Sequence, residues 1–349
     1  MRFGALRKIP KSILDNTIQT YIYAEMPPVS NELMFGVEIE CEFRQRLNTD
    51  IINNIYPSWN TTQDGSLRGF SAEFVSKPMS SVEMGKALEL LDNKAADMHI
   101  KESDRTSVHV HINMHGKTIR FLHKYLTLMY LLENTLVERF GGEDRVGNHF
   151  CLRAYDCNGI VDTLVEAFSS GSYQNIVQTE KYANINLSAL AKFSTVEVRC
   201  HKGTGDFKAI QDWVLVLKEI YTLANVFEDS QQIMGQFSEL GTVGFLQWNL
   251  PFVYEQVKDV PNLSELLYQG LEIAQDIAFA FVEVEDTKEM QHLQKAGKSK
   301  DEEILDEIFR REGVLQAQYE ALENVPRRGE VLMDVPRREV RGNIPYEDI

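Results

Sequence analysis

Four short segments alternate apolar residues with groups that bind metal ions or phosphate: 35–43 (FGVEIECEF), 108–113 (VHVHIN), 184–188 (NINLS) and 195–201 (TVEVRCH). Residues two apart in a strand share a face, so each segment predicts an apolar row on a core and a polar row opposite. The polar rows carry Glu38, Glu40 and Glu42, then His109 and His111, then Asn184 and Asn186, then Glu197 and Arg199. If the four strands join one sheet, carboxylates, imidazoles, amides and a guanidinium converge. Such a set suits divalent cations and anionic oxygens. Three glutamates on one row cannot all stay ionised and unpaired, and cations relieve the repulsion. An HxH pair by itself also occurs in zinc and cupin-type sites. Here Asn113, Met114, His115 and Gly116 follow it with no acidic residue near. A carboxylate-heavy donor set favours Mg²⁺ or Mn²⁺ over zinc. His115 reads as a surface histidine at a helix entry. Asp64-Gly65 is a turn signature, and the Glu73 segment reads as a strand closed by Pro78.

The elements that must hold these rows are mixed. Residues 1–33 look like an irregular N-terminal arm closed by Pro27-Pro28. Helical periodicity marks 82–98, 117–139, 206–225 and 263–284, with a charged helical stretch at 288–323 broken near Gly297. Strands and helices do not alternate strictly, which predicts an α+β fold with a mostly antiparallel sheet. The expected organisation is an arm at 1–33, a catalytic domain at 34–230, a helical region at 231–323 and an extended tail at 324–349. That tail repeats Val-Pro-Arg-Arg at 325–328 and 335–338, a candidate docking motif for a partner.

With 349 residues and a 43% hydrophobic fraction, the chain can bury a large core. A net charge of −16 argues against general affinity for nucleic acid backbones. No apolar run reaches membrane-spanning length, and the N-terminus lacks a secretory-type apolar stretch. The four cysteines (41, 151, 157, 200) show no CxxC spacing. Cys41 and Cys200 fall on apolar rows, so buried free thiols and a reducing, cytoplasmic setting are expected.

The order of the pieces adds weight to their content. GVEIE, DGSL, AEFVSKP, SVHVHIN, KYANINL and TVEVRCHKGTGD, spread over roughly 34–210, resemble the putative amidoligase family, carboxylate–amine ligases with a glutamine-synthetase-like fold. The resemblance implies an incomplete barrel, helices on its outer side, and ATP with two or more divalent ions on its concave face. It implies a reaction in which ATP phosphorylates a carboxylate and an amine then displaces phosphate from the acyl phosphate.

Carried over by motif, Glu38, Glu40, Glu73, His109 and Glu197 resemble the metal ligands. His111 resembles a phosphate-facing histidine and Arg199 the arginine that stabilises the phosphoryl group. Asp64 would position the amine or accept its proton, and Asn184 and Asn186 would line the acceptor or the nucleotide. Relatives often carry an arginine where this chain has Lys181, which keeps the charge without the bidentate fork; Arg145 and Arg153 lie upstream as substitutes. The substrates implied are small-molecule or peptide carboxylates and amines, with a glutaminase-type partner as one source of ammonia. Two other readings stand beside this one: a phosphotransferase on a related sheet, and a non-catalytic binding or assembly protein that keeps the fold.

Overall fold

In the computed structural model, the described residues are 8–26, 30–101 and 103–285. The strands are β1 (Lys8–Pro10), β2 (Phe35–Phe43), β3 (Trp59–Thr62), β4 (Phe70–Ser76), β5 (Ile100–Lys101), β6 (Ser107–Asn113), β7 (Ile185–Asn186), β8 (Thr195–Lys202) and β9 (Val282–Val284). Seven of them form one sheet in the order β3-β4-β2-β6-β8-β7, with β5 also paired to β2. Every pairing in this sheet is antiparallel. The sheet is open, running from an edge at β3 to an edge at β7, and does not close into a barrel. The expected mostly antiparallel α+β sheet is present, open rather than closed into a barrel.

The apolar rows behave as the alternation requires. Phe35, Val37, Ile39, Cys41 and Phe43 of β2, Val108, Val110 and Ile112 of β6, and Val196, Val198 and Cys200 of β8 all enter one hydrophobic core. All four cysteines are free, and Cys41, Cys151 and Cys200 are buried. The middle of that core is the helix Ile119–Leu136, in which every residue except Arg120 is buried. A helix buried nearly all round, with its polar Thr127, Glu133 and Asn134 enclosed as well, is covered on every side. Its first turn is capped by the Thr118 hydroxyl, which accepts from the Phe121 amide at 3.1 Å.

Three expected elements change at their ends. The 82–98 helix stops at Asp92 and resumes for one turn at Ala95–Met98. The 263–284 helix ends at Ala278, and the chain straightens into β9. The N-terminal arm is ordered locally: β1 pairs in parallel with β9, and Arg120 bridges Asp15 and Glu283. Helical periodicity could not see β1 or β9 because each is three residues long. The stretch 288–323 and the repeated tail lie outside the described residues. No helix among the described residues is long and apolar enough to cross a membrane.

Two buried histidines make stability depend on pH. His123 bridges the Ser230 hydroxyl and the Ile277 carbonyl, each at 2.8 Å, and burial pushes its pKa down to about 4. Burial also pushes His201 down to about 4. Their folded pKa values lie below the unfolded value of about 6.5, so the unfolded chain takes up the proton first as pH falls. Full stability is present above pH 6.5 and is lost as pH drops toward 4. The expected loss between pH 7.5 and pH 5 is about 2 kcal/mol per histidine, read from urea unfolding at the two pH values. A His123→Gln variant with the same pH slope as wild type would refute this assignment.

Candidate active site on the polar face of the sheet

Strand register decides which polar residues meet. Across β2 and β6, Glu38 lies opposite His109, and Gly36 opposite His111. Across β6 and β8, His111 lies opposite Glu197, and across β7 and β8, Asn186 lies opposite Glu197. On the other flank Glu40 faces Glu73 of β4, which in turn faces Thr62 of β3. Paired residues point to the same side of a sheet. The polar rows of six strands therefore form one continuous surface.

Within it two groups of ligand atoms cluster. Glu38, His109 and Glu197 bring three such atoms within 4.8 Å of one another, as do Glu40, Asp64 and Glu73. The first set has two carboxylates and one imidazole; the second is all carboxylate. Both fit a hard divalent cation with water or phosphate completing its shell. Asp64 comes from the turn between β3 and β4, where its carboxylate also accepts the Ser66 amide at 2.6 Å.

The first group is tightly networked. The His109 Nδ1 atom lies 3.4 Å from both Glu38 and Glu197 carboxylate oxygens. His109 Nε2 lies 2.9 Å from the Ser107 hydroxyl, which donates to Glu40 at 2.5 Å. Ser107 thus links the two groups. His111 Nε2 lies 3.4 Å from Glu38, and its Nδ1 lies 2.9 Å from the Thr195 hydroxyl. Glu197 accepts from Asn186 Nδ2 at 2.7 Å and from Arg199 Nη1.

Charge follows this geometry. Burial alone would raise Glu38, but hydrogen bonds from His109 and His111 hold it well below the usual carboxylate range. Glu197 is likewise lowered against its burial by His111, Arg199 and His109. Burial tends to lower His111, yet Glu38 and Glu197 raise it above the ordinary value. Glu73 is raised, first by burial and then by the negative charges of Glu38, Glu40 and Asp64, with Thr62 opposing. A carboxylate crowded by three others has a use for a cation.

A β-bulge shapes the β8 flank. Val108 pairs with His201 and Val110 with Val198, so Arg199 and Cys200 together oppose His109. The extra residue flips the alternation beyond it. His201, which strict alternation puts beside Glu197 and Arg199, instead turns into the core against Phe140 and Trp213. Glu42 also leaves the polar row's chemistry. It is buried, accepts the Arg68 amide at 2.9 Å and lies 3.5 Å from Lys101 Nζ.

Of the remaining candidates, Asn186 joins Glu197, whereas the Asn184 side chain donates to Glu133 of the central helix at 3.1 Å. Burial pushes that fully enclosed Glu133 carboxyl up to about 7. Lys181 is exposed and rests over the Tyr182 ring, 4.5 Å from its centroid, in a cluster with His149 and Phe150. His115 is half-buried rather than on the surface. Ser107, Thr195 and Thr62 were not expected at the site. Ser107 and Thr195 each lie two residues before a chosen residue on the same strand face, so the alternation contained the signal. Glu133 had none, because it sits on a helix that is otherwise core.

Residues 59–220 match a family model described as "Putative amidoligase enzyme". The match covers a little under half of the 349 residues and begins after β2, so Glu38 and Glu40 lie ahead of it. No curated protein matches the chain.

Proposed function

We propose that this chain, whose residues 59–220 belong to the putative amidoligase family, is an ATP- and Mg²⁺-dependent ligase that joins a carboxylate to an amine on an open variant of the glutamine-synthetase-like sheet. The observation that carries the reading is the pair of three-ligand groups, Glu38–His109–Glu197 and Glu40–Asp64–Glu73, on one polar face. Divalent ions bound there would offset the charge of the phosphate oxygens during transfer. Glu38, Glu40, Glu73, His109 and Glu197 would hold them, with Mn²⁺ able to replace Mg²⁺.

In the first step a carboxylate oxygen of the acceptor attacks the terminal phosphorus of ATP, and the bond to the ADP oxygen breaks. In the second, the amine nitrogen attacks the acyl carbon, phosphate departs with the C–O electron pair, and the amine loses a proton. Arg199 is anchored by Glu197 through one nitrogen, which leaves the rest of its fork for the transferring phosphoryl group. His111 is oriented by Thr195, and Glu38 and Glu197 raise its pKa above the ordinary value against its burial; its protonated form would donate to a phosphate oxygen. Asp64, at the mouth of the second group, takes the amine proton or positions the amine. Asn186 braces Glu197, Asn184 stays turned to Glu133 in the core, and Lys181 with Tyr182 would form an outer rim for nucleotide or acceptor. The amine is free ammonia, a small amine or peptide, or ammonia from a glutaminase-type partner.

Calorimetry of ATP binding with and without Mg²⁺, on wild type and Glu197→Gln, tests this. Micromolar binding that needs the metal and weakens by at least about tenfold in the variant is expected. Screening carboxylates with amines for ADP release then identifies the substrates. A stable phosphorylated acceptor would establish a phosphotransferase instead. No ATP binding by folded wild type would sink the ligase reading and favour an assembly role.

A further inference from the structure

Glu133 is a carboxyl enclosed within the core, 1% exposed, on the central helix. Its Oε2 accepts the Ala154 amide at 2.8 Å, and its Oε1 accepts from Asn184 Nδ2 at 3.1 Å. Arg153, beside Ala154 in the chain, is bound to Asp156 at 2.6 Å instead. Burial pushes Glu133 up to about 7; the bonds from Ala154 and Asn184 and the charge of Arg153 oppose that, and Asp156 adds to it. The other titratable groups around it are the Tyr130 phenol, one turn back, and the thiols of Cys151 and Cys200, each pushed upward by burial.

Both bonds fall on a strap of chain that leads to the polar face. Leu152 donates its amide to the Tyr182 carbonyl at 2.9 Å, and its carbonyl accepts the Asn184 amide at 2.8 Å. Residues 152–154 therefore lie along the entry to β7. The Asn184 carbonyl in turn accepts the Arg199 amide at 2.9 Å. Two residues on, Asn186 lies opposite Glu197 and donates to it. Glu133 is thus joined through Asn184 to the backbone of Arg199 and, along β7, to the carboxylate of Glu197.

The Asn184 amide can answer either state of Glu133. Its Oδ1 is buried and has no partner. An ionised Glu133 accepts from both Ala154 and Asn184 Nδ2. A protonated one keeps the Ala154 bond but turns a hydroxyl toward Nδ2, donor against donor, until the amide rotates and offers Oδ1. The charge-assisted bonds of the ionised form are the stronger.

We propose that Glu133 is a positioning residue for the polar face. Ionised, its carboxylate locks residues 152–154 and Asn184 to the central helix and so fixes Arg199 and Glu197; protonated, it loosens them. Its part in turnover rests on the ligase reading, whereas the lock itself does not.

The test compares wild type with Glu133→Gln, which keeps the shape but cannot titrate, in the full chain across pH 7. Amide hydrogen exchange, corrected for its intrinsic pH dependence, is read at Ala154 and Arg199. Protection in wild type should be roughly tenfold higher above pH 7 than below it, and should stay at the lower level throughout in the variant. Equal protection on both sides of pH 7 in wild type overturns the proposal. Urea unfolding gives an independent reading. The folded pKa of about 7 lies above the unfolded value of about 4.3, so wild type loses stability relative to the variant as pH rises through that window, and the gap is constant above it. A gap that does not vary with pH would make Glu133 a structural residue and overturn the proposal equally. Under the ligase reading, kcat for ADP release rises by roughly tenfold over the same step with KM for ATP unchanged; a step that persists in Glu133→Gln overturns the positioning role. If Glu133→Gln does not fold, Asn184→Ala replaces it: losing its donor moves the exchange step to higher pH, and an unmoved step overturns the proposal. Exchange and unfolding as expected in a protein that ignores MgATP would keep the lock and remove the ligase reading.

Discussion

Glu38→Gln should lower the proposed ATP-dependent turnover by roughly 10²–10³-fold, the scale of losing one preorganised electrostatic group at a reacting centre. The effect is large because this carboxylate is shared. It lies 3.4 Å from both His109 and His111 and completes one of the two ligand groups. Glutamine keeps the shape and the β2 hydrogen bonds but removes the charge that holds both imidazoles. Glu42→Gln, four residues along the same strand face, gives the contrast. Glu42 is committed to Arg68 and Lys101, so its neutralisation acts on stability and leaves turnover near wild type. Steady-state ADP release on both variants, with circular dichroism to confirm folding, measures the difference. Equal losses in the two would mean that the row acts as a diffuse negative surface rather than as a defined site.

Gly270→Ala is the substitution expected to unfold the protein most effectively. The helix Leu263–Ala278 crosses the central helix so closely that a Cβ at 270 would lie 2.1 Å from the Leu131 carbonyl oxygen and 2.9 Å from that of Tyr130. Both obstacles are backbone, so no rotamer change relieves them, and the two helices must separate along their whole contact. The loss should reach about 3 kcal/mol, the upper range for overpacking, or a fall of roughly 5 °C in melting temperature for a protein of this size. Thermal unfolding followed by circular dichroism reads it directly. A shift below about 2 °C would show that the helices can slide apart without loss of packing.

The alternation in β2, β6 and β8 carried most of what could be read without coordinates. It separated Glu38, Glu40, His109, His111, Glu197 and Arg199 from the core residues between them, and the sheet bears out that division. Register was not legible, and register is what divides these groups into two clusters and brings Asp64 and Glu73 to Glu40. The bulge at Arg199 and Cys200 was hidden for a related reason. A bulge is a property of a strand pair, so no pattern within β8 alone announces that His201 will turn inward. Asn184 differs: its spacing from Asn186 is that of the polar row, but its side chain turns to Glu133, a carboxylate buried on the central helix.

The pairing of β1 with β9 joins residues 8–10 to 282–284, almost the full length of the described chain apart. During synthesis, the first strand leaves the ribosome some 270 residues before its partner exists. The seven-stranded sheet can be assembled by then, since its last strand ends at Lys202. The β1–β9 clasp, with Arg120 linking Asp15 to Glu283, must therefore be among the final contacts made. Such long-range closure is entropically slow. Ribosome-bound chains stalled before residue 282 should hold a formed sheet with an undocked N-terminal strand, open to proteases until the C-terminal helix and β9 emerge.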